Sequence, residues 1–295
     1  MDTVVTGGRG ASGRWIVDRL VREGHAVTCL DRDHPGFGAG HKDIEYRALD
    51  LTDAGAVFDT VTEIDPDAVV HWGAIPAAGR HPGVDLYRNN TLAAYNVLTA
   101  AGRVGARVVQ ASSDGAYGFF FTDPTPVPDE LPVTESHARR PEDAYGLSKV
   151  VAEEVAGTVA RRDGVQVASL RPSWIQYPGE YGCRDPAYVD DLSAGAGNYW
   201  SYVDVRDVVD CALAALTAEF GGHEAFNCVA PDNALGRPLV DLLAEQFGRV
   251  PDEAAVEGDA SAYSTAKAAE LLGWEPEHSW REAADADVDG PAPEV

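Results

Sequence analysis

The chain has 295 residues, 45% of them hydrophobic, enough to bury a large core as one α/β domain with at most a small appended lobe, which excludes disorder of the whole. Its 48 acidic against 23 basic residues give a formal charge of −25 spread along the chain, so nucleic acid and anionic membranes, which need a basic footprint, are excluded as partners. Only Lys42, Lys149 and Lys267 are lysines, and the acids crowd exposed-looking positions, a balance that suits a protein kept soluble in high salt.

Cys29, Cys183, Cys211 and Cys228 stand far apart with no CxxC pair, and read as small buried hydrophobes. The His residues form no ligand cluster, so no metal is expected. Met1 runs directly into Thr3-Val4-Val5 with no room for a signal peptide, and no apolar run reaches the ~18 residues of a membrane span; a cytoplasmic protein is the expectation.

In chain order, short β-branched runs alternate with helical stretches. A strand at 3–6 precedes a helix at 15–22, and strands follow at 26–30 and 44–49. A helix at 54–63 leads to a strand at 68–71, a helix at 85–101 to a strand at 107–111, and a helix at 142–162 to a strand at 166–170. Strand and helix repeated this way predict an α/β fold, a doubly wound parallel-sheet Rossmann fold with a small C-terminal substrate lobe. Residues 176–198, rich in Gly, Pro, Tyr and Asp, show no periodicity and read as a loop over the substrate. A helix at 205–216, a strand at 225–229 and small helices at 239–247 and 262–272 complete the chain. The dinucleotide-binding domain is thus expected over 1–170 with 203–229 returning to it, the lobe over 171–202 and 230–282, and a disordered acidic tail over 283–295.

In such sheets the ligand lies at the carboxyl ends of the strands. After the first strand stands Thr6-Gly7-Gly8-Arg9-Gly10-Ala11-Ser12-Gly13, where Gly7, Gly10 and Gly13 permit a tight turn, close approach of a pyrophosphate and close helix packing. Arg9 and Ala11 belong to the same turn. Asp31 closes the second strand, where a carboxylate bonds a ribose 2′-hydroxyl, while Arg9 and Arg32 could flank a 2′-phosphate; both NAD and NADP are expected, with a lean to NADP. Asp50-Leu51 and His71-Trp72-Gly73-Ala74-Ile75 end further strands in register with the turn, on the adenine and nicotinamide sides, and Pro172 ends another. Tyr145 and Lys149 fall four residues apart on one helix face, where the ammonium should lower the phenol's pKa, and Ser113 ends the fifth strand with a hydroxyl for a substrate oxygen.

These residues resemble the extended short-chain dehydrogenase/reductase family, the NAD-dependent epimerases and dehydratases, over nearly the whole chain. TGGRGASG is similar to its TGxxGxxG turn, HWGA to its HLAA segment, SSDGAYG to its SSxxxYG segment, YGLSK to its YxxxK, and STAKAAELLGWEP to its terminal segment. The resemblance implies Tyr145 as general base or acid, Lys149 as holder of Tyr145 and the nicotinamide ribose, Ser113 as the group that orients the reacting oxygen, and Asn90 as a support from its helix. Asp114 is followed by Gly115 where sugar dehydratases resemble one another in an Asp-Glu pair, which argues against dehydration. SSDGAYGFF is similar to the SSNHxxGxY segment of uronate and archaeal sugar dehydrogenases, and Asn198-Tyr-Trp-Ser201 lies where those enzymes close their pocket. Arg171 and Tyr202 are only 31 positions apart, where members that bind nucleotide-linked sugars carry a longer insertion. The resemblance therefore implies oxidation of a small free sugar, a pentose such as L-arabinose or a uronate, at C1 to the lactone. Asp114, Ser173 and Trp174 are the expected sugar contacts, and Arg184 could pair with a uronate carboxylate. The alternative is a nucleotide-sugar 4-epimerase with tightly held NAD. A homo-oligomer is expected.

Overall fold

The computed structural model describes residues 1–36, 40–76, 79 and 81–291. Its first half runs β1 (Asp2–Thr6), α1 (Gly13–Arg22), β2 (Ala26–Asp31), β3 (Ile44–Ala48), α2 (Ala54–Ile64), β4 (Ala68–His71), α3 (Gly83–Val104), β5 (Arg107–Ala111) and a short β6 (Glu130–Leu131). The second half runs α4 (Ala144–Asp163), β7 (Val167–Pro172), β8 (Trp174–Gln176), α5 (Pro186–Val189), β9 (Tyr202–Asp204), α6 (Val205–Thr217), β10 (His223–Cys228), α7 (Leu239–Phe247), β11 (Glu253–Ala254), α8 (Ala266–Leu272) and α9 (Trp280–Ala283). Seven strands form one parallel sheet in the order β10-β7-β5-β4-β1-β2-β3. The strand order reverses between β1 and β4, which opens a crevice at their carboxyl ends.

The alternation of strand side chains builds the two faces. Val5 and Val70 join Ile16, Leu20, Val208 and Leu216 on the side of α1 and α6. Val4 and Val69 join Val57, Val97, Leu98 and Val159 on the side of α2, α3 and α4. Aspartates start the helices that matter: Asp53 caps α2, and the Asp143 carboxylate accepts the Tyr145 and Gly146 N–H groups at 2.7 and 2.9 Å, which sets the first turn of α4.

A separate core, with Tyr199, Trp200, Leu239, Leu242 and Tyr263, lies under the C-terminal part. It also draws on Tyr117, Phe119, Leu131 and Val133, and β6 pairs with β11, so residues 117–133 belong with the lobe in space although the chain pattern assigns them to 1–170. The aperiodic stretch 176–198 holds α5 and two 3₁₀ turns. Only Ala266–Leu272 of the expected helix 262–272 is helical, because the residues before it bond to the Val133 segment. Ala283, expected in the tail, is the buried last residue of α9, and residues 292–295 of that tail lie outside the described residues. No described helix is long and apolar enough to cross a membrane.

Candidate active site

The glycine turn leaves no room for side chains. A Cβ on Gly7 would stand 2.5 Å from Gly73 Cα, and one on Gly13 would stand 2.1 Å from the Gly7 carbonyl oxygen. The turn is braced from β4: the Gly73 N–H donates to the Thr6 hydroxyl (3.2 Å), which also meets His71 Nδ1 (2.8 Å), and the Trp72 indole donates to Ser12 Oγ (2.9 Å). Burial, with Lys149 nearby, pulls His71 down to about 3 and keeps the imidazole neutral. From this turn a cavity of about 880 Å³ runs past Gly10, Ala11 and Gly13 to Tyr145, Lys149 and Pro172, a size suited to a cofactor together with a small substrate.

Asp31 stands beyond that cavity at the end of β2, and its two carboxylate oxygens accept the Arg9 and Arg32 N–H groups (3.1 and 2.8 Å). The Arg9 guanidinium donates to the Asp33 carbonyl (2.7 Å), and that of Arg32 donates to Asn89 Oδ1 (3.3 Å). Asp50 is held by Thr52 and lowered in pKa by those bonds, with Arg32 and Arg88 acting in the same direction, while the Leu51 carbonyl accepts from Asn96 (3.0 Å). This donor and acceptor set, with the glycine turn, fits a dinucleotide: Asp31 for a ribose, the turn for a pyrophosphate, Lys149 for the second ribose.

At the far end Lys149 donates to the Ala111 carbonyl at the end of β5 (2.8 Å), with its Nζ 5.5 Å from the Tyr145 ring centroid. Burial pulls this ammonium down to about 8, against the Glu153 carboxylate. The expectation that Lys149 lowers Tyr145 is corrected here: burial pushes Tyr145 up to about 12, and the group that acts to lower it is the Ser113 hydroxyl. The ammonium points to a carbonyl, so desolvation dominates. Ser113 Oγ donates to Asp114 Oδ1 (3.1 Å) and accepts the Gly115 N–H (3.0 Å), which fixes its direction. Burial raises Asp114 to about 6, against the nearby Ser173 and Ser113 hydroxyls.

Asn90 does not reach Tyr145. Its side chain clamps both backbone groups of Ile75 (2.8 and 3.1 Å) and donates to Ser148 Oγ (3.3 Å), so it positions the β4 loop and α4. Ser173 and Trp174 line the cavity. Arg184 does not, which corrects its assignment: its guanidinium lies 3.8 Å over the Trp280 ring and donates to the Ala234 carbonyl (2.7 Å), partners in the C-terminal lobe that turn it away.

Chain patterns missed two groups. Glu153 completes the face of α4 that carries Tyr145 and Lys149, and it accepts from Ser112 (2.6 Å), from Arg171 twice (2.8 and 2.7 Å) and from Arg139 (2.9 Å). Its spacing, four residues past Lys149, was the available signal. Tyr188 lines the cavity from the aperiodic segment and left no signal of that kind, while Asn198 lines it from the run that the resemblance placed at the pocket. Among the described residues no group of three or more potential metal ligands exists.

A parallel sheet with a glycine turn at its switch point and a Tyr, Lys and Ser set at the neighbouring strand ends defines a dinucleotide-dependent enzyme class. The sequence matches the NAD dependent epimerase/dehydratase family over residues 3–228, and the chain belongs to that family. It is 26% identical to a UDP-glucose 4-epimerase of Corynebacterium glutamicum over 95% of this chain and 92% of that protein. It is 29% identical to a uronate dehydrogenase of Pseudomonas putida over 57% of this chain and 59% of that protein. Its fold matches the crystal structure of a UDP-glucose 4-epimerase from Brucella ovis in complex with NAD at a TM-score of 0.69 and 22% identity, over 96% of both chains.

Proposed function

We propose that this chain is an NAD(P)-dependent sugar dehydrogenase that oxidises a free aldose, a pentose such as L-arabinose or a uronate, at C1 to the lactone. The observation that carries the reading is how the short segment after β7 is used: Ser173, Trp174, Tyr188 and Asn198 line the same cavity as Tyr145 and Ser113. A short segment walling the cavity beside the reacting groups suits a small sugar. When bound, the nicotinamide supplies the acceptor for the hydride that leaves C1. Tyr145 takes the proton of the anomeric hydroxyl, and Ser113, with the Gly115 N–H still donating to its Oγ, turns its own proton from Asp114 Oδ1 to the same sugar oxygen as the C1–O double bond forms. Lys149 and the Ala111 carbonyl hold the base end of the site. The second reading, a nucleotide-sugar 4-epimerase, draws on the epimerase likeness over nearly the full chain. A panel of aldoses, uronates and UDP-sugars assayed at high salt decides: NAD(P)H formed from a free sugar supports the dehydrogenase, and interconversion of UDP-glucose and UDP-galactose without it overturns the choice.

For the cofactor, the reading is use of both NAD and NADP with a lean to NADP, because Arg9 and Arg32 adjoin Asp31, bonding its carboxylate through their backbone N–H groups and carrying their guanidiniums to the nearby Asp33 carbonyl and Asn89. Arg32→Ala is expected to raise the KM for NADP by about tenfold and that for NAD by less than twofold, since loss of a charged phosphate contact amounts to roughly 1.5–3 kcal/mol. Equal effects on the two would remove that role. The reading also places the enzyme in the cytoplasm of a cell with high internal salt, where −25 of net charge is well screened. A homo-oligomer is proposed as well, with Val84 (72% exposed), Tyr87 and Tyr95 in one exposed row on α3; a monomeric mass in sedimentation at high salt would refute it.

A further inference from the structure

The substrate end of the cavity carries polar atoms that the protein leaves without partners. Among the described residues, Asp114 Oδ2, Asn198 Oδ1 and the Tyr188 hydroxyl are buried with no partner in hydrogen-bonding geometry, although the Ser173 hydroxyl acts on the Asp114 carboxylate, and all three residues line the cavity. Their side chains are firmly placed: Asp114 is 8% exposed, Tyr188 7% and Asn198 1%. Buried polar groups are paired as a rule, so three unpaired ones around one cavity mark places for a ligand's own groups.

The other half of each group is held. Asp114 Oδ1 accepts from Ser113 (3.1 Å). The Asn198 amide donates to the Ser201 carbonyl (2.7 Å), which fixes its nitrogen inward and leaves Oδ1 as the acceptor. Tyr199 and Trp200, next in the chain, stand in the left-handed region (φ 51° and 56°) and are fully buried, pinned through the Pro126 and Leu192 carbonyls (2.8 and 3.0 Å), so Asn198 sits on a rigid corner. The Tyr188 ring packs against Trp174 at 5.0 Å between centroids.

The charge balance of this end is one-sided. Lys149 is the one cation among the described lining residues, and its ammonium donates to the Ala111 carbonyl. Arg184, the nearest expected counter-charge for an acidic sugar, is committed to Trp280 and Ala234. Two acceptors and a hydroxyl match alcohol O–H groups, whereas a carboxylate or a diphosphate would face Asp114 and Asn198 Oδ1 with no cation but Lys149 among the described lining residues to offset its charge. Trp174, 39% exposed, and Phe120, 44% exposed, add apolar faces for sugar C–H groups.

We infer that the substrate end is built for an uncharged polyhydroxy sugar, whose hydroxyls are read by Asp114, Asn198 and Tyr188, and that it discriminates against uronates and nucleotide-linked sugars. The inference rests on the dehydrogenase reading and narrows it.

The test compares L-arabinose with D-galacturonate, both by NAD(P)H formation and by quenching of tryptophan fluorescence in the Tyr145→Phe protein, which reads binding without turnover. The wild type is expected to favour the neutral sugar by about 100-fold in kcat/KM. Asp114→Asn, which keeps the shape and removes the charge, should raise the neutral sugar's KM roughly tenfold and narrow the gap to the uronate, as loss of a charged acceptor implies. Tyr188→Phe removes one hydroxyl that has no protein partner, so it should fold normally, with KM up about fivefold and kcat within about twofold. A uronate used as well as the neutral sugar, or unchanged KM in both variants, overturns the inference. No NAD(P)H from any free sugar would instead overturn the dehydrogenase reading, and the fluorescence titration would then still decide which sugar the cavity accepts.

Discussion

Replacing Tyr145 with Phe should lower kcat by about 10²- to 10⁴-fold, the usual contribution of a positioned general base, while NAD(P) binds within a few-fold of wild type. The phenyl ring retains its packing beside Phe121, 6.2 Å between centroids, so only the oxygen that takes the proton is lost. The pH profile adds a second readout. Burial holds Tyr145 up at about 12, so the phenol is protonated at neutral pH and the working ionised fraction grows as pH rises. Wild-type sugar oxidation should therefore climb with pH across the neutral to alkaline range, and that slope should vanish in the variant. Retention of more than about a tenth of the rate would show that another group takes the proton.

Glu153→Gln should destabilise the fold by about 3–5 kcal/mol, the range found when one partner of a buried ion pair is removed. Arg171 and Glu153 are 3% and 1% exposed at their side chains and meet through two bonds, and Arg139 and Ser112 complete the carboxylate's set. The amide cannot supply the charge, and its NH₂ would face a guanidinium. Burial acts to raise the Glu153 pKa, but the Arg171 bonds and charge, with Ser112 and Arg139, hold it below its ordinary 4.5. A depressed carboxylate contributes stability that is present above that value and lost as pH falls through the depressed one, so the gap between wild type and variant should close in acid. Denaturant unfolding at high salt, at neutral pH and near pH 3, checks both parts. A loss under about 1 kcal/mol at neutral pH would mean that the network is replaceable. Because Glu153 grips Ser112, one residue before Ser113, the variant should also lose activity at temperatures where it remains folded.

The features legible in the chain are those that neighbours along it decide. Alternate residues of one strand face opposite ways, so Val4-Val5 and Val69-Val70 announce a sheet covered on both sides. A turn too tight for any Cβ must be written in glycine, as at Gly7 and Gly13. Tyr145 and Lys149, four apart on α4, share a face whatever the rest of the protein does. The tertiary structure decided what depends on segments remote in sequence. Arg184 could have faced a sugar until Ala234 and Trp280, 50 and 96 residues further along the chain, offered it closer partners. The Tyr145 pKa follows from how much water the packed lobe excludes, a quantity with no local signature, and so burial and not Lys149 sets it. Asn198 and Tyr188 come from a segment without periodicity, and they reach the cavity only because the corner at Tyr199 and Trp200 is locked into the C-terminal core. Spacing along a helix or through a turn is short-range geometry that the chain carries by itself; burial, ion pairing and the walls of a cavity are sums over distant contacts, and those exist only once the chain has folded.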